Sequence, residues 1–187
     1  MNSKFWKNLK KDLSILTAIV GIAVPIFCFY IIPDINILFD PLSKFGIEKE
    51  TKLIWMWFIQ IIALLLYINN TNHIDKIKHY LNNIQSLVLK SLNIISSLFL
   101  SLTGFITMDI RLFHLGFATI FFLTYTGFIF WWGFVNIKYN LKNTIISISS
   151  ALFIILSSFI TTFGYGYGIF ELFFISSIIF WNISIRN

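Results

Sequence analysis

The side chains that could do chemistry in this chain of 187 residues gather at the ends of apolar segments. Asp109, Arg111 and His114 lie around the start of one such segment, and Glu171 lies about one turn inside another. A carboxylate among phenylalanines would be costly if it faced lipid, so we expect Glu171 to turn inward. His114 and Arg111 lie at a similar depth, and either could pair with it.

A polar loop between the first two apolar segments could add to this group, because it supplies Asp40, Ser43 and Lys44 on the same side. We therefore predict a polar cluster at the level of the outer lipid headgroups, made of these residues: Asp40, Ser43, Asp109, Arg111, His114 and Glu171. The cluster could be a structural clamp between helix ends, or a site for a headgroup or substrate. Both interpretations stay open at this point.

The other reactive side chains indicate no metal, cofactor or thiol chemistry. His73 and His79 lie in a predicted inner segment, whereas His114 lies on the outer side. A three-histidine metal site would have to assemble across the whole bilayer, so we predict no metal and no cofactor. Cys28 is the one cysteine. It lies inside the first apolar segment with no base beside it, and we expect it to be a packing thiol.

Alternating glycines and tyrosines join the last two apolar segments: Gly164, Tyr165, Gly166, Tyr167 and Gly168. A glycine loop that binds a nucleotide needs a preceding strand and a βαβ unit, which this sequence does not indicate. A tight aromatic turn at the outer membrane interface is therefore the better prediction, since tyrosine is enriched at that level.

Six long apolar stretches must position all of these residues. The chain is 57% hydrophobic and 12% charged, whereas soluble domains are about 45–50% apolar and about 25% charged. A helix needs about 20 apolar residues to cross a bilayer. The predicted spans are Leu13–Ile32, Leu53–Ile68, Ile84–Thr107, Leu112–Val135, Ile145–Phe163 and Gly168–Ile185. We therefore predict an all-α bundle of six transmembrane helices that forms a single membrane domain over residues 1–187.

The distribution of charge predicts how the bundle is oriented. Lysine and arginine are enriched in cytoplasmic loops. With the N-terminus inside, ten of the 14 basic residues lie in inner segments, and six of the eight acidic residues lie in outer ones. Both termini are therefore predicted to be cytoplasmic. The basic residues form no continuous stripe along which a phosphate backbone could bind, so no nucleic-acid partner is expected.

The inner segment Thr71–Asn83 has apolar residues at helical spacing, with charged residues off that face. This pattern fits a short helix that lies on the inner membrane surface and runs into the third span. An ordinary helical extension of the span is the alternative, and the sequence does not separate the two.

The residues of the predicted cluster also resemble a family motif. Asp40–Gly46 is similar to the S-x-x-G loop of a six-span family, and Gly104–Asp109, followed by His114, Ala118, Phe121 and Phe122, resembles a second run of that family. The family contains the damage-regulated autophagy modulators, the FRAG-type GPI-anchor remodelling proteins, the SFK-type plasma-membrane proteins and prokaryotic relatives of unknown function. Glu171 lies where the family often has a Glu.

Two departures from the eukaryotic pattern favour a prokaryotic relative. Thr107 replaces an expected proline, and Leu172 replaces an aromatic residue after Glu171. The resemblance implies a six-helix bundle with inner termini and a role connected with membrane lipids. It implies no known reaction.

The leading functional hypothesis is a non-catalytic membrane protein that binds, senses or organises lipid through the predicted cluster, in the cell membrane of a prokaryote. The alternatives are a lipid hydrolase or transferase, with His114 as base and Ser43 as nucleophile, and a structural subunit of a membrane complex. Membrane lipids are the expected partners, with a homo-oligomer or a membrane partner protein left open. A transporter ranks last, because the centres of the second, fourth and sixth spans are nearly all Ile, Leu and Phe, and no inverted repeats are evident.

Overall fold

A computed structural model describes residues 3–159 and 166–185 of the chain, with side chains from residue 12 onward. Its six α-helices are α1 (Ser3–Ile31), α2 (Lys52–Ile77), α3 (Asn83–Phe105), α4 (Arg111–Asn136), α5 (Leu141–Ser158) and α6 (Tyr167–Ser184). Two 3₁₀ helices, η1 (Leu42–Gly46) and η2 (Met108–Ile110), lie in the connections. Of the predicted aromatic turn, Gly164 and Tyr165 lie outside the described residues.

All six helices of the described chain are long and apolar enough to cross a membrane, and the described residues contain no strand. The predicted all-α architecture of six spans is therefore confirmed. Two boundaries differ most: α1 begins at Ser3, ahead of the predicted Leu13, and α2 continues past the predicted end at Ile68 to Ile77. A turn follows, and α3 begins with a capping box in which Asn82 and Gln85 exchange side-chain and backbone hydrogen bonds.

The segment expected to form a surface helix belongs instead mostly to the end of α2. Thr71–Ile77 is the last part of that helix, and His73 and Ile74 are buried in the bundle. The helical spacing of its apolar residues indicated a helix correctly. Of the two alternatives, the structure has a helical extension of a span, although it extends α2 and not the third span. The surface helix is wrong, because Ile74 packs in the main hydrophobic core.

The helices form a closed ring in chain order. Each helix packs on its neighbours in sequence, and α6 returns to pack on α1. Six crossings put the beginning of α1 and the end of α6 at one end of the ring, which we call the terminal end. η1 and η2 lie at the opposite end, which we call the η1 end. That the terminal end is cytoplasmic stays a prediction.

A network of buried polar side chains joins five helices in the half of the ring near the terminal end. Asn69 Nδ2 donates to Asn182 Oδ1 at 2.6 Å, and Asn70 Nδ2 donates to Asn93 Oδ1 at 3.0 Å. The whole network, which we call the amide network, consists of Ser14, Asn69, Asn70, Asn93, Tyr125 and Asn182. Interhelical hydrogen bonds of this kind favour one arrangement of the helices in lipid.

Aromatic side chains fill the ring on the terminal side of the amide network. Trp132 and Trp181 are almost fully buried, and their ring centroids lie 6.1 Å apart in an edge-to-face contact. Trp181 Nε1 donates to Ser147 Oγ at 2.8 Å, which ties α6 to α5. The terminal half of the ring is thus closely filled, and the larger internal space lies toward the η1 end.

Candidate functional site

The connection between α1 and α2 folds into the mouth of the ring at the η1 end. Leu42 and Phe45 of η1 are almost fully buried. The Phe45 ring lies between the rings of Phe29 and Trp55, with centroids 4.8 and 5.4 Å away. Thr51 Oγ1 donates to the Phe45 carbonyl at 2.8 Å and fixes the return of the chain into α2. η1 therefore acts as a lid over the ring interior.

Glu171 of α6 holds this lid in place. Its carboxylate accepts a hydrogen bond from the backbone N–H of Leu42 at 2.5 Å, and another from the backbone N–H of Ser43. The first N–H groups of a helix have no partner within the helix, and they attract negative charge. Glu171 turns inward, as the sequence predicts, but its partners are these backbone groups and not His114 or Arg111.

The connection between α1 and α2, residues 32–51, contains the lid, and we call it the lid loop. Two of the glycines in the glycine and tyrosine motif let this loop approach α6. A β-carbon at Gly166 would collide with the backbone of Phe39, and one at Gly168 would collide with the carbonyl oxygens of Ile37 and Asp40. Gly166 N–H also donates to the Leu38 carbonyl at 3.0 Å. The glycines are thus required for close approach of one backbone to another. This role differs from the tight turn predicted from the sequence.

His114 lies in the wall opposite the lid and is 5% exposed. Its Nδ1 lies 2.7 Å from the carbonyl oxygen of Ile106. Since a carbonyl only accepts, Nδ1 carries a proton in this bond. The bond to the end of α3 fixes the ring, and Nε2 is the atom left for a ligand.

Ser43 bonds to neither His114 nor Glu171 through its side chain. Its Oγ lies 3.2 Å from Met108 Sδ and donates to that sulfur. A thioether is a weak acceptor and cannot remove a proton. Ser43, His114 and Glu171 therefore lie around one cavity without the hydrogen bonds of a catalytic triad.

The other members of the predicted cluster lie at its edge. Asp40 accepts from Lys44 Nζ at 3.1 Å, within the lid loop. Asp109 accepts from Lys52 Nζ at 3.0 Å on the exposed surface. Among the described residues, neither carboxylate lines the two cavities discussed next, whereas Arg111 lines one of them and forms no salt bridge.

Two cavities meet at the predicted cluster. The inner one, which we call the chamber, has a volume of about 120 Å³ and lies inside the ring beneath η1. The outer one, which we call the cleft, has a volume of about 390 Å³ and lies among the lid loop and the η1 ends of α4, α5 and α6. Both are lined by Ser43, His114, Ala118, Phe122 and Glu171. We call these five residues the junction.

The sequence interpretation missed the floor of the chamber. Leu66 and Ile178, which line the chamber, lie within one helical turn of Asn69 and Asn182 in the amide network. A pair of asparagines, Asn69 and Asn70, inside a long apolar helix is itself a signal, because unpaired amides are costly in lipid. That signal would have identified the network had α2 been extended to its true end.

Fold and site together define a multi-pass membrane protein with a lidded internal cavity. Comparison of this chain with models of protein families, with curated protein sequences and with solved structures gave no match.

Proposed function

We propose that this protein is a non-catalytic membrane protein that binds, senses or organises membrane lipid at the cleft. One observation carries the proposal: a cleft near the end of the bundle and an apolar chamber inside it share a wall, the junction, that contains three polar residues. A lipid has the same division, with a polar group at one end and hydrocarbon behind it. Concave, mostly apolar sites with few convergent polar groups are the usual form of small-ligand sites.

The charges around the cleft favour an anionic headgroup. Arg111 is the only cationic side chain among the described residues that line it, and no carboxylate there pairs with that guanidinium. Asp40 and Asp109 are already paired with lysines. Arg111 is therefore available to a phosphate or carboxylate, which a guanidinium binds in a bidentate manner. Glu171 acts by holding the lid and not by binding the headgroup.

A lipid hydrolase or transferase is a second candidate, because Ser43 and His114 line the same cavity. Their hydrogen bonds give it less support, since Ser43 donates to Met108 and His114 to Ile106. A serine-directed covalent probe separates the two functions. Labelling of Ser43 that is lost in His114→Ala would favour the enzyme.

We further propose that the chain is a prokaryotic relative of the six-span family that its motifs resemble, and that it lies in the cell membrane with both termini inside. What supports this is that Ser43 and His114, which belong to the two resembling motifs, line one cavity together with Glu171. The exposed apolar surface also leaves open a homo-oligomer or a structural role beside a partner protein.

The experiment that tests the lipid proposal is mass spectrometry of lipids retained after purification in a mild detergent. We expect Arg111→Gln to lower the retained anionic lipid by about tenfold, the effect of losing one charge-assisted contact. His114→Ala should lower it less, because Nε2 supplies at most one hydrogen bond to the headgroup. Asp109→Asn is the matched control, because this carboxylate lies nearby in an exposed ion pair outside both cavities. Equal lipid in all three variants, with folding intact, would reject the proposal.

A further inference from the structure

We infer that the chamber takes one alkyl chain of an anionic lipid, while the headgroup stays in the cleft and the amide network limits the length of the chain. This inference rests on the proposed function and extends it from the surface of the bundle to its interior. It assigns a chemical class to the ligand: a negatively charged group that carries at least one alkyl chain free to leave the bilayer.

The walls of the chamber are suited to hydrocarbon. Beyond the junction, the chamber is lined almost entirely by apolar side chains of α1, α2, α3, α4 and α6, with Thr17 and Thr103 as the polar exceptions. The hydroxyl of Thr17 is already bonded to the Leu13 carbonyl, and that of Thr103 to the Leu100 carbonyl. Water needs two to four polar partners to occupy a cavity, whereas an alkyl chain needs none.

A chain can reach the chamber from the side of the bundle. The cleft extends along α4 as far as Thr119 and Leu123, and Leu123 is 68% exposed at a depth that lies in hydrocarbon. Near the η1 end, α4 meets α6 through side chains such as Phe122 and Phe170, whose ring centroids lie 5.0 Å apart. This contact closes the space between the two helices, so hydrocarbon enters here when the two rings move apart, and it then passes the junction without crossing water.

The dimensions of the chamber select one chain. Its volume of about 120 Å³ is near that of an engineered cavity that holds a single benzene ring. Along α6 it extends from Glu171 to Ile179, a rise of about 12 Å. Two chains do not fit in this space, so the second chain of a diacyl lipid stays in the bilayer.

The floor of the chamber fixes how far the chain reaches. Thr17, Leu66 and Ile178 line its deep end, and Ser14, Asn69 and Asn182 lie on the terminal side of it. A longer chain would have to break these buried amide hydrogen bonds, which apolar groups cannot replace. We therefore expect a sharp upper limit on the length of the chain bound inside the bundle.

Gly21 offers a direct test, because it lines the chamber and a side chain can be added there. A β-carbon at Gly21 would make only ordinary contacts, with Ile179 Cδ1 at 3.6 Å and Ile62 Cδ1 at 3.9 Å. Gly21→Leu would therefore fill part of the deep chamber. Gly116→Leu is the matched control, because Gly116 is exposed on α4 with nothing within 4 Å of a β-carbon.

The assay is native mass spectrometry in nanodiscs of neutral phosphatidylcholine. Three anionic probes are added over a series of chain lengths: a fatty acid, a lysophosphatidylglycerol and a diacyl phosphatidylglycerol. In Gly21→Leu we expect the preference for long over short chains to fall by about tenfold, because the leucine side chain occupies the space of several methylene groups of the bound chain. Gly116→Leu should keep the original preference. The three probes also separate a free acid from a phospholipid.

Two results overturn different statements. No anionic probe bound to the original protein, or binding that is unaffected by Arg111→Gln, rejects the proposed function itself. If binding needs Arg111 but the chain preferences of Gly21→Leu and Gly116→Leu are identical, only the inference that the chamber holds the alkyl chain is rejected. A fatty acid with a terminal diazirine adds a test in the unaltered protein. Crosslinks at Ile178 and Ile179 support the inference, and crosslinks confined to exposed residues reject it.

Discussion

Replacing Glu171 removes the group that holds the lid loop to α6, and the structure allows its effect to be estimated. The carboxylate accepts from the backbone N–H groups of Leu42 and Ser43. Hydrogen bonds to charged groups contribute about 1.5–3 kcal/mol each, and two bonds to one carboxylate are not additive. Glu171→Ala should therefore lower the free energy of lid opening by about 3 kcal/mol. Glu171→Gln keeps one acceptor oxygen and should lower the free energy of lid opening by about half as much.

Hydrogen exchange of the lid amides measures this free energy directly, because these amides exchange only when the lid opens. A change of about 1.4 kcal/mol corresponds to a factor of ten. We expect protection of residues 42–46 to fall about 100-fold in Glu171→Ala and about tenfold in Glu171→Gln. The amides of α3 serve as the internal control. Unchanged protection of the lid would refute the role given to Glu171, and an equal loss throughout the bundle would indicate general destabilisation instead.

Three further predictions concern other parts of the molecule, and thermal unfolding in detergent micelles checks each of them. Gly168→Ala should lower the free energy of unfolding by about 1–3 kcal/mol, because the added β-carbon collides with the backbone of the lid loop. Gly116→Ala should not lower it, because the β-carbon there meets open space. Asn182→Leu should cost about 1 kcal/mol, since it breaks the amide network at its centre. Lys52→Gln should change stability by less than about 1 kcal/mol, because its ion pair with Asp109 is exposed.

The architecture follows from the sequence because each span is long, apolar and separated from the next by polar residues. The predicted boundary failed where polar residues continue a helix. The sequence predicted that α2 ends at Ile68 because the polar residues Asn69, Asn70 and His73 follow. In the structure these side chains are buried inside the ring. Hydropathy measures the preference of a residue for lipid. It cannot recognise a polar residue whose hydrogen bonds are made by another helix.

The sequence predicted which residues form the site, but it did not predict the hydrogen bonds that they make. The cost of a carboxylate in lipid was enough to predict that Glu171 turns inward. The sequence suggested a basic side chain as partner, because charges are visible in a sequence and free backbone N–H groups are not. Those groups exist only because η1 forms and faces α6. The close approach allowed by Gly166 and Gly168 is likewise a property of the folded backbone.

The clamp and the binding site, which the sequence left as alternatives, are compatible in the structure because they use different atoms. The Glu171 carboxylate is occupied by the lid, so an amine that entered the cavity would have to displace two backbone hydrogen bonds. Arg111 forms no salt bridge among the described residues and is available to a ligand. A ligand with a negative group therefore leaves the lid closed, whereas a cationic ligand competes with it.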